Sequence, residues 1–235
     1  MSLNSVVIGG TSGVGLATAR YLNEQGYAVI IGGRSKYQKE REIVSECIDV
    51  TKEDSVKQFF SSINVNALNS LIYSAGVTIE RKSIESFDVS DYLRLHDVNL
   101  LGAILTLKYA YPLLKKAKGK VVIVNSFASR TYSQFSGFEY TITKSGLSGL
   151  VKQLAIEWAK DEVLINAVFP SMVETSMLRK NVEKPVLEAI EEKIPLGRIA
   201  RPKEIASAIE FLVSDKNKYM TGAGIDINGG QFLTG

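Results

Sequence analysis

Short β-branched and aliphatic runs punctuate the chain: SVVIG at 5–9, AVIIG at 28–32, ECID at 46–49, SLIYSA at 70–75, KVVIVNS at 120–126, LINAVF at 164–169 and GIDIN at 224–228. Between them, segments with helical spacing of apolar positions lie near 14–25, 53–62, 88–117, 140–160 and 203–213. Strands that are apolar at nearly every position suit a sheet covered on both faces, and their alternation with helices predicts parallel pairing. The pattern therefore predicts an α/β fold: one doubly wound domain over residues 1–235, with a parallel seven-stranded sheet and helices on both faces. No Pro/Gly/Ser-rich linker, internal repeat or low-complexity tract divides it. Eleven residues separate Arg34 from Glu46. A parallel crossover usually needs a dozen or more, so a helical turn or two at most is expected there. Only 175–198 is a long stretch without a strand assignment.

Composition and charge narrow the function classes. The chain is 45% hydrophobic and 23% charged, which suits a globular protein and excludes a disordered or collagen-like one. Its net charge of +3 offers no broad basic field, so no nucleic-acid partner is expected. A single cysteine, Cys47, cannot close an intramolecular disulfide, and with the lone His96 it makes no cluster at metal-ligand spacing. Metal catalysis is not expected, and Cys47, flanked by apolar residues, is expected to be a buried inert thiol. There is no basic and apolar leader pattern and no apolar run of about 18 residues, so a cytoplasmic protein without a membrane span is expected.

Three features carry chemistry. The run VVIGGTSGVGLATA sets Gly9, Gly13 and Gly15 directly after the first strand and at the entrance to a helix. Unpaired N–H groups and the helix dipole converge there, which suits a dinucleotide pyrophosphate; the plainer reading is a βα turn that needs glycine for positive φ. The second strand ends VIIGGRSK, with Gly33 where NAD sites carry an acid and Arg34 next to it. An arginine there pairs with the 2′-phosphate of NADP, and Ser35 and Lys36 would add a hydroxyl and a second charge. Finally, Tyr140 and Lys144 stand four residues apart on one helix face, where an ammonium would favour the phenolate.

Taken together and in order, these motifs resemble the short-chain dehydrogenase/reductase family from Val6 to about Gly230, with 3-oxoacyl-carrier-protein reductases as the best-matching subgroup. The resemblance implies a Rossmann-fold domain that transfers a hydride between NADP(H) and a ketone or secondary alcohol. Gly9, Gly13 and Gly15 match the glycine motif, with Ile8 in place of its leading threonine, and Thr11, Ser12 and Val14 fall inside the loop. IDVT at 48–51 implies an adenine contact from Asp49, with Val50 beside it. YSAG at 73–76 stands for Asn-Asn-Ala-Gly, so Ala75 and Gly76 would line the cofactor while Ser74 replaces an asparagine that braces the central strand.

DVNLLG at 97–102 implies a catalytic Asn99, and YTITK implies the catalytic Tyr140 and Lys144. VNSFAS offers Ser126 and Ser129, neither at the usual spacing from the tyrosine; matching the strand GKVVIVNS puts Ser126 in the catalytic slot, with one extra residue in the following loop. NAVFPSMVETSM resembles the N-x-x-x-P-G-x-x-x-T segment with Ser171 for glycine, which implies Pro170, Val173 and Thr175 on the nicotinamide side. In these roles Tyr140 is the general acid/base, Lys144 lowers its pKa and holds the ribose, Ser126 bonds the substrate oxygen, and Asn99 holds a water linking Lys144 to solvent.

The resemblance also implies a homo-oligomer, dimer or tetramer, built on the helices after Asn99 and at Tyr140, and a substrate lid at about 175–198. That lid would be amphipathic through Met177, Leu178, Val182, Val186 and Leu187. Loop 127–139 is expected to form the facing wall with Phe127, Tyr132, Phe135 and Phe138, leaving Arg130 solvated or bound to an acidic group. The rival from another class is a non-catalytic dinucleotide-binding redox sensor or assembly module. The complete set Asn99, Ser126, Tyr140 and Lys144 argues against it.

Overall fold

The computed structural model describes residues 3–37, 40, 42–175, 178 and 184–233. In β1 (Asn4–Ile8), Val6 and Ile8 join one apolar cluster while Val7 joins another. Successive strand side chains face opposite sides, so a strand apolar throughout feeds two cores. The same split recurs in β4 (Ser70–Tyr73), where Leu71 and Tyr73 face one side and Ile72 the other, and in β5 (Lys120–Val124). The remaining strands are β2 (Ala28–Gly33), β3 (Val44–Cys47), β6 (Leu164–Pro170) and β7 (Gly224–Ile227).

One face is covered by α1 (Gly13–Glu24) and α7 (Pro202–Val213), through residues such as Ala19, Leu22, Ile205 and Ile209. The other is covered by α2 (Glu53–Ser62), α4 (Gly102–Ala117) and α5 (Gly137–Trp158), through Phe59, Leu107, Leu147 and Val151. Each fully buried Leu, Ile or Phe among them contributes roughly 1.5–3 kcal/mol of transfer free energy. Two shorter helices, α3 (Val89–His96) and α6 (Lys184–Glu191), lie toward the cleft. No helix among the described residues is long and apolar enough to cross a membrane.

The strands pair in parallel in the order β3-β2-β1-β4-β5-β6-β7. The chain winds outward from β1 in both directions, so the crevice above the carboxyl ends of β1 and β4 is the topological switch point, where open α/β sheets bind ligands.

Two local expectations change. The helical period over 88–117 reads as one helix, but α3 and α4 are joined by a π-helical turn, Asp97–Leu101, with Asn99 at its middle. Cys47 is exposed rather than buried, because β3 is the outer strand of the sheet and its ends lack a neighbour on one side. Between β2 and β3, the described residues 34–37, 40, 42 and 43 carry no helical turn, within the expected limit of a turn or two.

Candidate active site

Gly9 closes β1 with φ +81, and a Cβ placed there would stand 2.5 Å from the backbone nitrogen of Ala75. A Cβ on Gly15 would fall 2.2 Å from the Gly9 carbonyl oxygen, so the loop can fold over the helix start only without side chains at both positions. Gly13, at φ +53, opens α1 beside Thr175, whose Cγ2 lies 3.4 Å from where a Cβ would be. The first turn of α1 holds no acidic residue, and the hydroxyl of its cap, Ser12, makes no capping bond. The helix therefore presents open N–H groups and its positive dipole end to the cleft, a fit for a pyrophosphate.

Gly33 ends β2 against Thr11; a Cβ at 33 would lie 2.5 Å from the threonine Cγ2, so a side chain at that position would require Thr11 to turn away. The adjacent Arg34 is exposed at the same rim. Asp49 accepts bonds from the Thr51 hydroxyl and backbone N–H at 2.7 and 3.1 Å. Those bonds hold its carboxyl below the usual range, and the nearby Arg34 charge adds to the effect. Lys36 is turned away, paired with Glu46 across β2 and β3 at 3.3 Å, so the second charge expected beside Arg34 is engaged elsewhere. Ser35 is exposed and outside the cleft wall.

Above the ends of β4 and β5, Ser126, Tyr140 and Lys144 meet. Asn125 shapes this end of β5: its Oδ1 accepts from the Ser126 N–H at 2.9 Å and its Nδ2 donates to the Ser148 hydroxyl at 3.0 Å. Ser126 Oγ accepts from the Ala128 N–H at 3.1 Å, so its own proton can be given to the Tyr140 oxygen or to a ligand in the cleft. Burial pushes the Tyr140 phenol above its ordinary pKa, and hydrogen bonding with Ser126 opposes that rise.

Lys144 is 5% exposed, donates from Nζ to the Val124 carbonyl at 3.0 Å and stands 5.8 Å from the Tyr140 ring centre. Burial holds its ammonium down to about 8. The expected picture, in which Lys144 pulls the phenol down, is thus altered: burial dominates at Tyr140, and Ser126 is the group that counters it. Ser129, the other serine of the motif, donates to the Ser126 carbonyl at 2.7 Å and does not line the cleft.

Asn99 is fully buried. Its Oδ1 accepts from the Val77 N–H at 2.8 Å, and its Nδ2 donates to the Val77 carbonyl at 3.1 Å and the Thr143 hydroxyl at 3.2 Å. Both amide hydrogens are committed, so this side chain braces the turn after β4 rather than presenting donors to a water chain. A Cβ on Gly76, in that turn, would sit 3.5 Å from Asn99 Oδ1 and 3.7 Å from Lys144 Nζ.

Gly9, Gly13, Arg34, Asp49, Ser126, Tyr140 and Lys144 open into one cleft of about 1900 Å³, whose walls also include Val14, Val50, Ala75, Pro170, Val173 and Thr175, while Asn99 lies behind the wall. Thr175 Oγ1 accepts from the Leu178 N–H at 3.3 Å, and Leu178 and Ile190 line the cleft from the 175–198 side. Met177 and Val182 of the expected lid lie outside the described residues. Phe127, Tyr132 and Phe135 line the facing wall, whereas Phe138 packs on Phe87 with ring centres 5.8 Å apart. Arg130 does not line the cleft: still exposed to solvent, it lays its guanidinium over the Phe169 ring at 3.7 Å and donates from Nε to Asp226 at 3.0 Å. Glu139, unnoticed in the sequence, is fully buried with both oxygens unpartnered among the described residues. It lies in the first turn of α5, where the helix dipole favours negative charge.

A family model described as enoyl-(acyl carrier protein) reductase matches residues 9–231. The 3-oxoacyl-[acyl-carrier-protein] reductase FabG of Aquifex aeolicus is 32% identical, over 97% of this chain and 96% of that protein. Among solved structures, the ligand-free aldohexose dehydrogenase of Thermoplasma acidophilum superposes with a TM-score of 0.92 at 26% identity, over 98% of this chain and 94% of that one. The protein ElxO, solved with NADP bound, superposes with a TM-score of 0.91 at 26% identity, over 98% and 99% of the two chains.

Proposed function

Because the chain belongs to the short-chain dehydrogenase/reductase family of oxidoreductases, we propose that it is an NADP(H)-dependent carbonyl reductase, interconverting a ketone and a secondary alcohol with Tyr140 as general acid/base. The observation that carries this reading is the sharing of one cleft by the open N-terminus of α1 and the trio Ser126, Tyr140 and Lys144. Gly9, Gly13 and the α1 amides would hold the pyrophosphate, Asp49 and Val50 the adenine side, and Pro170, Val173 and Thr175 the nicotinamide side.

When bound, the nicotinamide supplies or accepts the hydride. In the reducing direction Ser126 Oγ donates to the substrate oxygen as charge gathers there, and Tyr140 Oη delivers the proton that completes the alcohol. The raised phenol pKa keeps that proton in place across the neutral range. Lys144 holds the nicotinamide ribose and returns a proton to Tyr140 after each turnover. Leu178, Ile190 and the rest of 175–198 act as the lid, and a cytoplasmic homo-oligomer, dimer or tetramer, belongs to the same reading. Ile104 on α4 and Ile142 and Ile156 on α5 are exposed at 40%, 49% and 80%, which suits contact between copies.

The preference for NADP(H) is assigned to Arg34, exposed beside Gly33, which brings no acid to that rim. A charge-assisted bond to the 2′-phosphate contributes about 1.5–3 kcal/mol, so Arg34→Ala is expected to raise the KM for NADPH roughly 10- to 100-fold and to leave that for NADH nearly unchanged. Steady-state oxidation of both cofactors against a panel of ketones and 3-oxoacyl thioesters tests the whole reading. Binding of NADPH without turnover across that panel would instead favour the redox-sensor alternative.

The pH profile gives a separate check. With Lys144 held to about 8, its charge is lost as pH rises through that value, and kcat for reduction is expected to fall above about pH 8. Stability moves the other way for this group. Its folded pKa lies below the ordinary 10.5, so between about 8 and 10.5 the unfolded chain binds more protons and the Lys144 contribution to stability rises with pH. Turnover measured from pH 6 to 10 beside thermal unfolding at each pH separates the two.

A further inference from the structure

Tyr73, the last residue of β4, is fully buried, and its Oη donates to the Val98 carbonyl at 2.5 Å. Val98 belongs to the π-helical turn Asp97–Leu101 and immediately precedes Asn99. A π turn shifts the helical pairing by one residue and opens the ladder, and the phenol takes one of the carbonyls there. Gly102, the next residue of the chain after that turn, makes the approach possible: a Cβ on it would stand 2.6 Å from the Tyr73 oxygen and 2.9 Å from Val50 Cγ2. Beyond Val98 the contacts run through Asn99 to Val77 in one direction and to Thr143 on α5, one residue before Lys144, in the other.

We propose that Tyr73 is a positioning residue of the active site: its buried hydroxyl fixes the π turn, and through it the Asn99 amide that locks the turn after β4 to α5 beside Lys144. The hydroxyl touches neither the cofactor side nor the substrate side of the cleft. Its effect on catalysis rests on the carbonyl-reductase reading, whereas its effect on Asn99 does not.

Tyr73→Phe keeps the ring that fills the core and removes only the oxygen. The Val77 N–H, which donates to Asn99 Oδ1, reports the position of that amide directly, so its hydrogen exchange is expected to quicken at least about tenfold as local opening becomes easier. The Kd for NADPH is expected to stay within about twofold, while kcat falls about 10- to 100-fold, the scale set by small displacements of reacting groups. In the Asn99→Ala background Tyr73→Phe is expected to add less than about a twofold further loss, because both changes act through one element. A general loss of packing would make the two losses multiply.

Unchanged Val77 exchange together with kcat within about twofold of wild type overturns the proposal. If Tyr73→Phe yields no folded protein, Gly102→Ala, which crowds the hydroxyl from the opposite side, is read by the same exchange criterion. Faster Val77 exchange in a protein whose wild type reduces no carbonyl would sink the reductase reading and leave the role of Tyr73 standing.

Discussion

Tyr140→Phe is expected to lower kcat for carbonyl reduction by about 10²- to 10⁴-fold, the range that a positioned general acid contributes, while NADPH binding stays within a few-fold. The expectation rests on what the substitution leaves in place. The ring of Tyr140 is half-buried in the cleft wall and faces Lys144 Nζ from 5.8 Å, and phenylalanine fills the same space. The dinucleotide side of the cleft depends on Gly9, Gly13, Gly15 and Thr175, none of which touches the lost oxygen. What disappears is one proton donor and its hydrogen bond with Ser126. Ser126 would still donate to the substrate oxygen, so a residual rate above the uncatalysed reaction should remain. Single-turnover kinetics with saturating NADPH make the measurement, and a variant retaining more than about a tenth of wild-type kcat would show that another group supplies the proton.

Gly9→Ala is the second large effect, and it strikes structure and binding together. Gly9 sits at φ +81, where a Cβ costs about 1–2 kcal/mol, and that Cβ would stand 2.5 and 2.7 Å from the Ala75 nitrogen and Cα. Those atoms are backbone at the end of β4, held by pairing with β1 in the register Ile8 to Tyr73, so they cannot rotate aside as a side chain would. Adding about 1–3 kcal/mol for overpacking gives a loss of roughly 2–5 kcal/mol, readable as a lower urea midpoint. The loop that presents the α1 amides would move as well, so NADPH binding should weaken by at least about tenfold. Gly26→Ala serves as the control. Gly26 has φ +86, but among the described residues a Cβ there would meet no atom within 4 Å beyond its chain neighbours, so backbone strain alone is expected, with NADPH binding unchanged.

The parts of this molecule that were legible in its sequence are those where a local physical demand singles out a residue type. Near-continuous apolar strands announced a sheet covered twice, and the glycine loop announced itself because only glycine tolerates its close approaches. What was hidden depends on partners remote in sequence. The exposure of Cys47 follows from β3 lying at the sheet edge, which strand order decides and local hydrophobicity does not. Lys36 looked available for a phosphate until β2 and β3 brought Glu46 across from it. The π turn at Asn99 left no mark on the helical period, since one shifted turn barely changes which residues face the core. Tyr73 read as an ordinary strand residue because its hydroxyl's partner, Val98, lies 25 residues on. Glu139 carries no local signal of its full burial, which the folded chain around the start of α5 creates.

The clamp on Arg130 bears on how this cleft can change. Its guanidinium lies over Phe169 on β6 and bonds Asp226 on β7, and Gly224 leaves it room, since a Cβ there would lie 2.8 Å from the guanidinium and 2.2 Å from the Phe169 ring. Four positions on three segments must therefore change in concert if the start of the 127–135 wall is to be redrawn. Across the cleft, Val186 is 43% exposed and α6 buries only Ile190. Single substitutions there meet little resistance. Variation in substrate range, whether by natural drift or by directed evolution, is thereby channelled to the α6 side, while the Arg130 side is inherited almost as a unit.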